Sequence, residues 1–318
     1  MTLNKYKAFY AVASLFVLVF AARSYYQDNA LSFYAMASSS SQQYETTAKR
    51  DLLALMMAYP DHIKGIEKDE QRVYVVMESG SEIVYDDLKI KNFGEKLGNA
   101  DIQDMMELDY PLHSIDTLMD ENCDPGRIRC YPFLHAVYGG SQRDIEGSLE
   151  SVNLGAGSYP FNKNNGASDA LAAVFSGVSG LLKSEPEVYG FVYPLSGTYN
   201  YRVIAGTGQL SPHAFAIAID LKRDNCDYWQ WANREQGQGR LDEYPPSLVA
   251  LFENHGFIWG GKWAHFDFLH FEYRPELIIK AQYRPDEGDM LTWHDGFPDT
   301  QNTRSYIDII NQAWNKTE

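Results

Sequence analysis

Residues 211–220, SPHAFAIAID, place a histidine and a carboxylate at the two ends of a short apolar segment. The residues AFAIAID alternate bulky and small apolar side chains, which is typical of a buried strand. In a straight strand His213 and Asp220 would lie about 23 Å apart and on opposite faces. Because zinc ligands lie only about 2.0–2.2 Å from the metal, both could bind one ion only if the chain turns after His213, most cheaply within Ala214–Ala216. Polar residues at the ends of a buried strand are also ordinary, so this stretch alone leaves both interpretations open.

A second unusual stretch is residues 256–274, GFIWGGKWAHFDFLHFEYR. It places His265, Asp267, His270 and Glu272 among seven aromatic residues. A buried charge in such surroundings is costly unless it is paired or bound to a metal. The pattern therefore favours a functional cluster, and the alternative is that the histidines only form hydrogen bonds inside an aromatic core.

These motifs carry a family resemblance. SPHAFAIAID resembles the SxHxxGxAxD motif of zinc peptidases in the D-alanyl-D-alanine carboxypeptidase and L-alanyl-D-glutamate endopeptidase family. GGKWAHFDFLHFE is similar to the second signature of the endopeptidase branch, a WGG followed by W and then DxxHFE. The upstream SGTYNYRVIAGTGQLS resembles the segment that leads into the histidine, so the match covers roughly residues 190–278. The family cuts peptidoglycan stem peptides and shares its fold with lysostaphin-type enzymes and the hedgehog signalling domain.

The resemblance implies a metal centre. His213, Asp220 and His270 would hold one Zn²⁺ per chain and leave a fourth position for water, as an open catalytic site requires. Asp267 would be the general base, and Arg202 would steady the scissile carbonyl or its oxyanion.

Further site residues follow with less direct motif support. Ser211 matches the motif serine near the metal, His265 is a candidate substrate contact, and Glu272 is a candidate partner of a metal ligand. Trp259 and Trp263 lie on either side of the Gly-Gly turn, where they would either wall the substrate cleft or pack in the core.

The chain departs from the motif at one position, where Ala216 replaces the motif glycine. If that position needs a positive φ, alanine would cost on the order of 1 kcal/mol. The departure puts the local loop geometry in doubt, but all predicted metal ligands and the base are present.

Composition restricts the partners. The chain has 318 residues, of which 45% are hydrophobic and 22% charged, and a formal net charge of −16. Phosphate binding needs a basic face, so we expect no nucleic-acid partner. The family resemblance implies peptidoglycan stem peptides as partners, and we expect a monomer.

The N-terminus predicts export. Lys5 and Lys7 precede an apolar run over residues 8–22, which suits the core of a secretory signal. The run is short for a bilayer span, but an uncleaved membrane anchor is the alternative. We therefore expect residues 1–24 to be a signal peptide or anchor, 25–50 a flexible linker, and the protein to lie in the periplasm or cell envelope.

The rest of the chain predicts an α+β fold with a mainly antiparallel sheet flanked by helices. We expect residues 51–135 to pack on a zinc peptidase domain over 136–285, followed by a tail over 286–318 that contains a helix. The predicted helices are 51–59, 168–182 with Ser168 as its cap, 246–255 and one near 303–314, and the predicted strands are a pair around Ser79-Gly80, 190–194, 213–222 and 268–273.

The three cysteines allow at most one internal disulfide. Cys123 and Cys130 flank an Asp-Pro-Gly turn that could bring them together, and Cys226 is left over. Three free thiols are the alternative.

The sequence thus predicts a zinc metallopeptidase, a hydrolase of cell-wall peptides. The bond cut would be L-Ala–D-Glu, as in the endopeptidase branch, or the terminal D-Ala–D-Ala of a carboxypeptidase. The alternatives are a catalytically inactive zinc-containing binding protein of the cell envelope and a structural envelope protein with a chance motif pair.

Overall fold

A computed structural model describes residues 41–285 and 290–316. The chain divides into two units, 1–48 and 49–318, and the sheets and the candidate site lie in the second. The apolar run over residues 8–22, predicted to be a signal or anchor, lies outside the described residues. Among the residues that are described, no helix is both long enough and apolar enough to cross a bilayer.

The described segments alternate helices and short strands. The helices are α1 (41–58), α2 (Phe93–Asn99), α3 (Ile102–Met106), α4 (Tyr131–Tyr138), α5 (Gln142–Gly147), α6 (Ala167–Ser184), α7 (Tyr189–Val192), α8 (Arg234–Glu243), α9 (Pro246–Glu253), α10 (Pro275–Gln282) and α11 (Gln301–Asn315). The strands are β1 (Ile63–Lys68), β2 (Val73–Met77), β3 (Glu82–Val84), β4 (Leu149–Asn153), β5 (Ser158–Asn162), β6 (Ala218–Asp220), β7 (Phe257–Trp259) and β8 (His270–Tyr273). Three short 3-10 turns lie at Asn164–Gly166, Pro186–Val188 and Gly260–Lys262.

Every strand pairing in these sheets is antiparallel. One sheet has the order β1-β2-β3, β4 and β5 form a hairpin, and the third sheet has the order β6-β8-β7. The predicted α+β class with antiparallel sheets is therefore confirmed.

The β6-β8-β7 sheet positions the candidate site. Its middle strand, β8, pairs with β6 so that Asp220 lies opposite His270 and Ala218 opposite Glu272. Residues directly opposite each other in an antiparallel pair point to the same face of the sheet. The two candidate ligands therefore project to one side of β6 and β8.

The apolar core lies around this sheet and the helices that cover it. Strand β7 is fully buried, and its Phe257 ring meets Phe252 of α9 edge to face with the centroids 5.5 Å apart. The ring of Phe252 also stacks on Phe271 of β8 at 3.9 Å. Aromatic pairs of this kind add to the burial of apolar surface.

The flexible linker predicted for residues 25–50 is wrong over residues 41–50, which form the first part of α1. This segment contains neither glycine nor proline, so it can extend a helix that is already nucleated. The nucleus is the apolar second half of α1, where Leu52, Leu53 and Leu55 are fully buried.

Two predicted strands are wrong in part. Residues 190–192 of the predicted strand 190–194 instead belong to the short helix α7, because Pro186 opens a helical turn just before it. Only Ala218–Asp220 of the predicted strand 213–222 pairs, because residues 212–216 form a turn. That turn lies where the distance argument placed it.

Helix α6 forms as predicted, but Ser168 is not its cap. The N-cap residue is Gly166, with a left-handed φ of 67°, and no side chain caps the first turn. The hydroxyl of Ser168 instead donates a hydrogen bond to the carboxylate of Glu150 in β4. A sequence pattern cannot distinguish these two uses of a serine near a helix start.

The cysteine pair does not form a disulfide, and all three cysteines are free thiols. Cys130 is buried at the start of α4, whereas Cys123 stays in a loop whose carbonyl accepts a hydrogen bond from Ala264. The Asp-Pro-Gly turn between them is held by Trp263, whose indole N–H donates to the carbonyl of Pro125 at 2.7 Å.

We expect three thiols per chain in the unfolded protein and slow labelling of Cys130 in the native state. Burial raises the pKa of the Cys130 thiol to about 12, so the reactive thiolate is scarce. Alkylation followed by mass analysis, with and without denaturant, measures this. Rapid native labelling of Cys130, or uptake of only one label by the unfolded chain because two thiols form a disulfide, would contradict this expectation. A Cys130→Ala variant identifies the labelled site.

Candidate metal centre

The turn that carries His213 is held by a buried side chain from β5. The side-chain amide of Asn162 donates to the carbonyls of Phe215 and Tyr138, both at 3.0 Å, and its backbone N–H donates to the carbonyl of Ala216. Asn162 is fully buried, so these bonds have no competition from water. The turn is therefore fixed against the β4-β5 hairpin.

Ala216 has a φ of 54°, in the left-handed region. The condition under which alanine is costly at this motif position is therefore met, and the chain accepts the cost of a Cβ there. The penalty is about 1–2 kcal/mol for a non-glycine residue. The clamp from Asn162 is what keeps the turn in this conformation.

Three ligand atoms converge at this turn and the neighbouring strands. His213 Nε2 lies 3.1 Å from Asp220 Oδ1 and 3.2 Å from His270 Nδ1, and His270 Nδ1 lies 3.0 Å from Asp220 Oδ1. In a tetrahedral zinc site with bonds of about 2.0–2.1 Å, neighbouring ligand atoms lie roughly 3.3 Å apart. The triangle formed by His213, Asp220 and His270 could therefore hold a metal ion.

The orientation of His213 fits a metal ligand. Its Nδ1 lies 2.6 Å from the carbonyl oxygen of Thr198, which can only accept a hydrogen bond. Nδ1 must therefore carry the proton, which leaves the lone pair of Nε2 directed into the triangle. Thr198 is itself fixed, since its hydroxyl donates to the carbonyl of Pro160 at 2.7 Å.

The carboxylate of Asp220 suits the same role. Burial would raise the pKa of the Asp220 carboxyl, but the adjacent imidazoles of His213 and His270 outweigh burial and hold that pKa well below its usual range. Asp220 is therefore ionised near neutral pH, as a metal ligand must be.

Glu272 lies behind His270, as the expected partner of a ligand would. Its Oε2 is 3.6 Å from His270 Nε2, the ring nitrogen that faces away from the triangle. Glu272 is fully buried and forms a two-pronged ion pair with Arg129, at 2.9 and 2.5 Å. A second guanidinium, that of Arg274, lies 3.4 Å from Glu272 Oε1. Paired in this way, the carboxylate can orient the His270 ring.

Asp267 lies just before β8 and is bonded to the chain around it. Its backbone N–H donates to the carbonyl of Gly260, and its carbonyl accepts from the N–H of His270. Burial raises the pKa of the Asp267 carboxyl to about 7, although the charge of nearby His270 acts in the opposite direction. A carboxyl that exchanges its proton near neutral pH can serve as a general base or acid.

The triangle of His213, Asp220 and His270 opens into a cavity of about 160 Å³. Its wall includes the three candidate ligands and Asp267, together with Arg202, Ser211, Trp263 and His265 from the sequence prediction. Ser211 is almost fully buried and its hydroxyl oxygen accepts the N–H of His213 at 3.3 Å, so it supports the turn. Arg202 is exposed.

Trp259 does not line this cavity, so its predicted role as a cleft wall is wrong and the alternative of core packing is correct. Its ring lies 4.7 Å from that of Tyr244, and its indole N–H donates to the carbonyl of Phe268 at 2.8 Å. The adjacent glycines are needed for close contact. A Cβ at Gly260 would lie 2.5 Å from the carbonyl oxygen of Asp267, and one at Gly261 would lie 2.3 Å from the Trp259 ring.

Several residues of the cavity wall were not predicted from the sequence: Arg127, Arg129, Tyr228 and Trp229, along with Asp124 behind the wall. Asp124 is fully buried and accepts from both the backbone N–H and the Nδ1 of His265, at 2.9 and 2.7 Å. The ring of His265 also meets Trp229 edge to face at 4.6 Å. The aromatic cluster at 228–231, YWQW, in which Tyr228 and Trp229 are half-buried, was the one available sequence signal for this wall.

Residues 205–273 match the family model described as D-alanyl-D-alanine carboxypeptidase. The matched segment contains the three candidate ligands and Asp267, and it confirms the resemblance to this zinc metallopeptidase family. No curated protein and no solved structure matches the chain. The match supports a metallopeptidase that acts on cell-wall peptides in general.

We expect Arg129→Met to lower the free energy of unfolding by about 3–5 kcal/mol, because it leaves Glu272 buried with a weaker partner. The double variant Arg129→Met, Glu272→Leu should recover much of the loss, since no buried carboxylate remains. Urea denaturation measures both. A loss below about 1 kcal/mol for Arg129→Met would show that the pair does not support the fold.

Proposed function

We propose that this chain is a zinc-dependent peptidase that hydrolyses peptidoglycan stem peptides. The observation that carries the proposal is the convergence of His213 Nε2, Asp220 Oδ1 and His270 Nδ1 within 3.2 Å of one another, beside Asp267 in one cavity. Three protein ligands and an open side are the arrangement of a catalytic zinc site. The family match over residues 205–273 supports the same assignment.

When bound, zinc would supply a Lewis acid that polarises the peptide carbonyl and lowers the pKa of water. Asp267 accepts a proton from the attacking water and passes it to the leaving amine. Arg202, exposed on the loop before the His213 turn, offers a fixed positive charge to the developing oxyanion. Glu272 holds the ring of His270 in position throughout.

The substrate and location belong to the same proposal. The family match over residues 205–273 favours stem peptides, with the bond either L-Ala–D-Glu or D-Ala–D-Ala, and the DxxHFE form favours the former. Export to the periplasm or envelope follows from Lys5, Lys7 and the run over 8–22, which would release or anchor the protein where peptidoglycan lies. Digestion of purified muropeptides by the zinc-loaded protein, followed by mass analysis, identifies the bond. Unchanged muropeptides would contradict the proposed activity.

We expect one zinc per chain in the purified protein and none in the double variant His213→Ala, His270→Ala. Two of the three ligands are lost, and a single carboxylate does not retain zinc. Elemental analysis after dialysis measures the stoichiometry. The matched control is His255→Ala, since the His255 imidazole lies 2.8 Å from the carbonyl of Leu251 in its own helix turn and outside the cavity. Zinc retained by the double variant would contradict the assigned ligands.

Asp267→Ala should keep zinc and fold while turnover of muropeptides falls by about 10²–10⁴, the usual contribution of a general base. Zinc content, thermal denaturation and initial rates are measured on the same preparation. Release of the metal would instead make the carboxylate a ligand. A rate near that of the parent would remove Asp267 as the base.

A further inference from the structure

Arg127 lies in the wall of the cavity but outside the segment that matches the family. It follows the Asp-Pro-Gly turn, and its side chain is only 22% exposed. The guanidinium lies over two aromatic rings, with its central carbon 5.9 Å from the Phe93 centroid and 6.0 Å from that of Trp229. The planar group is therefore held in place by packing.

Most hydrogen-bond donors of Arg127 are unused within the described part of the chain. A guanidinium carries five N–H donors. One of them, on Nη1, reaches Asp124 Oδ2 at 3.4 Å, a long contact to an oxygen that His265 Nδ1 already contacts at 2.7 Å. No further hydrogen bond of the Arg127 side chain is found among residues 41–285 and 290–316. The unused donors are available to a molecule in the cavity.

The neighbouring arginine is not available in this way. Arg129 places Nε and Nη2 on Glu272 and Nη1 on the carbonyl of Arg127. Arg127 is thus the partly buried cation in this wall that has spare donors, and burial also lowers its pKa. A poorly solvated guanidinium gains most from an anion that it can bind through two parallel hydrogen bonds.

Arg127 is also close to the chemistry. It lines the same cavity as Asp267 and the three candidate ligands. An anionic group bound by Arg127 would therefore lie in the cavity in which the scissile bond is placed.

We propose that Arg127 binds the free carboxylate of the substrate residue that follows the scissile bond, an inference that rests on the proposed peptidase function. Both candidate substrates carry such a group: the terminal D-Ala has its own carboxylate, and D-Glu in a stem peptide keeps its α-carboxylate free. Arg127 would then be a specificity residue that selects carboxylate-bearing peptides over their carboxamides.

Binding to a non-hydrolysing background tests this directly. In zinc-loaded Asp267→Ala protein, calorimetry compares N-acetyl-D-Ala-D-Ala with its carboxamide, and N-acetyl-L-Ala-D-Glu with its α-carboxamide. Adding Arg127→Met should weaken the binding of one carboxylate probe about 10- to 100-fold. The affinity for the matching carboxamide should change by less than about twofold. Arg127→Lys should lose less affinity for that carboxylate probe than Arg127→Met, since lysine keeps the positive charge. The pair that responds identifies the substrate.

The matched control is Arg223→Met, because Arg223 lies 3.9 Å over the Trp231 ring but outside the cavity. It should leave the affinity for both probes unchanged. Equal losses for a probe and its amide, or no loss for either carboxylate, would overturn the assignment, and thermal denaturation confirms that each variant is folded. If Arg127-dependent binding is found but the parent protein does not hydrolyse muropeptides, Arg127 is a carboxylate-binding residue and the peptidase function fails.

Discussion

The register between β6 and β8 is the constraint on which the site depends. It pairs Asp220 with His270 and Ala218 with Glu272, so that the metal-facing carboxylate and imidazole share one face of the sheet. A slip of one residue would send each side chain to the opposite face and separate the ligand atoms. The burial of Phe271 between these positions fixes the register, because its ring must stay in the core beside Phe252.

Two supports outside the sheet complete the arrangement. Asn162 clamps the turn that brings His213 back beside Asp220 and keeps Ala216 in a left-handed conformation. On the other side, Arg129 neutralises Glu272, which in turn lies against His270. Both supports come from outside the two motifs, so the segments that carry Arg129 and Asn162 are part of the site's structure.

The sequence predicted the parts of the site that have local signatures. The spacing of His213 and Asp220 required a turn between them, and the turn is found at 212–216. The strand of His270 and the α+β class were also predicted correctly. The sequence did not predict the roles of Asp124, Arg127 and Asn162. Each of these residues acts through contacts with residues distant in sequence, and such contacts leave no periodic pattern. Local pattern also misassigned residues 190–192, where an apolar aromatic run forms a helix after Pro186.

The most direct test of the account is the position of the metal itself. Anomalous X-ray scattering at the zinc edge, measured on crystals of the zinc-loaded protein, locates the ion without reference to the chain. The account predicts one strong peak per chain, about 2.0–2.2 Å from His213 Nε2, Asp220 Oδ1 and His270 Nδ1. A peak elsewhere, or full zinc loading with no peak at this triangle, would contradict it.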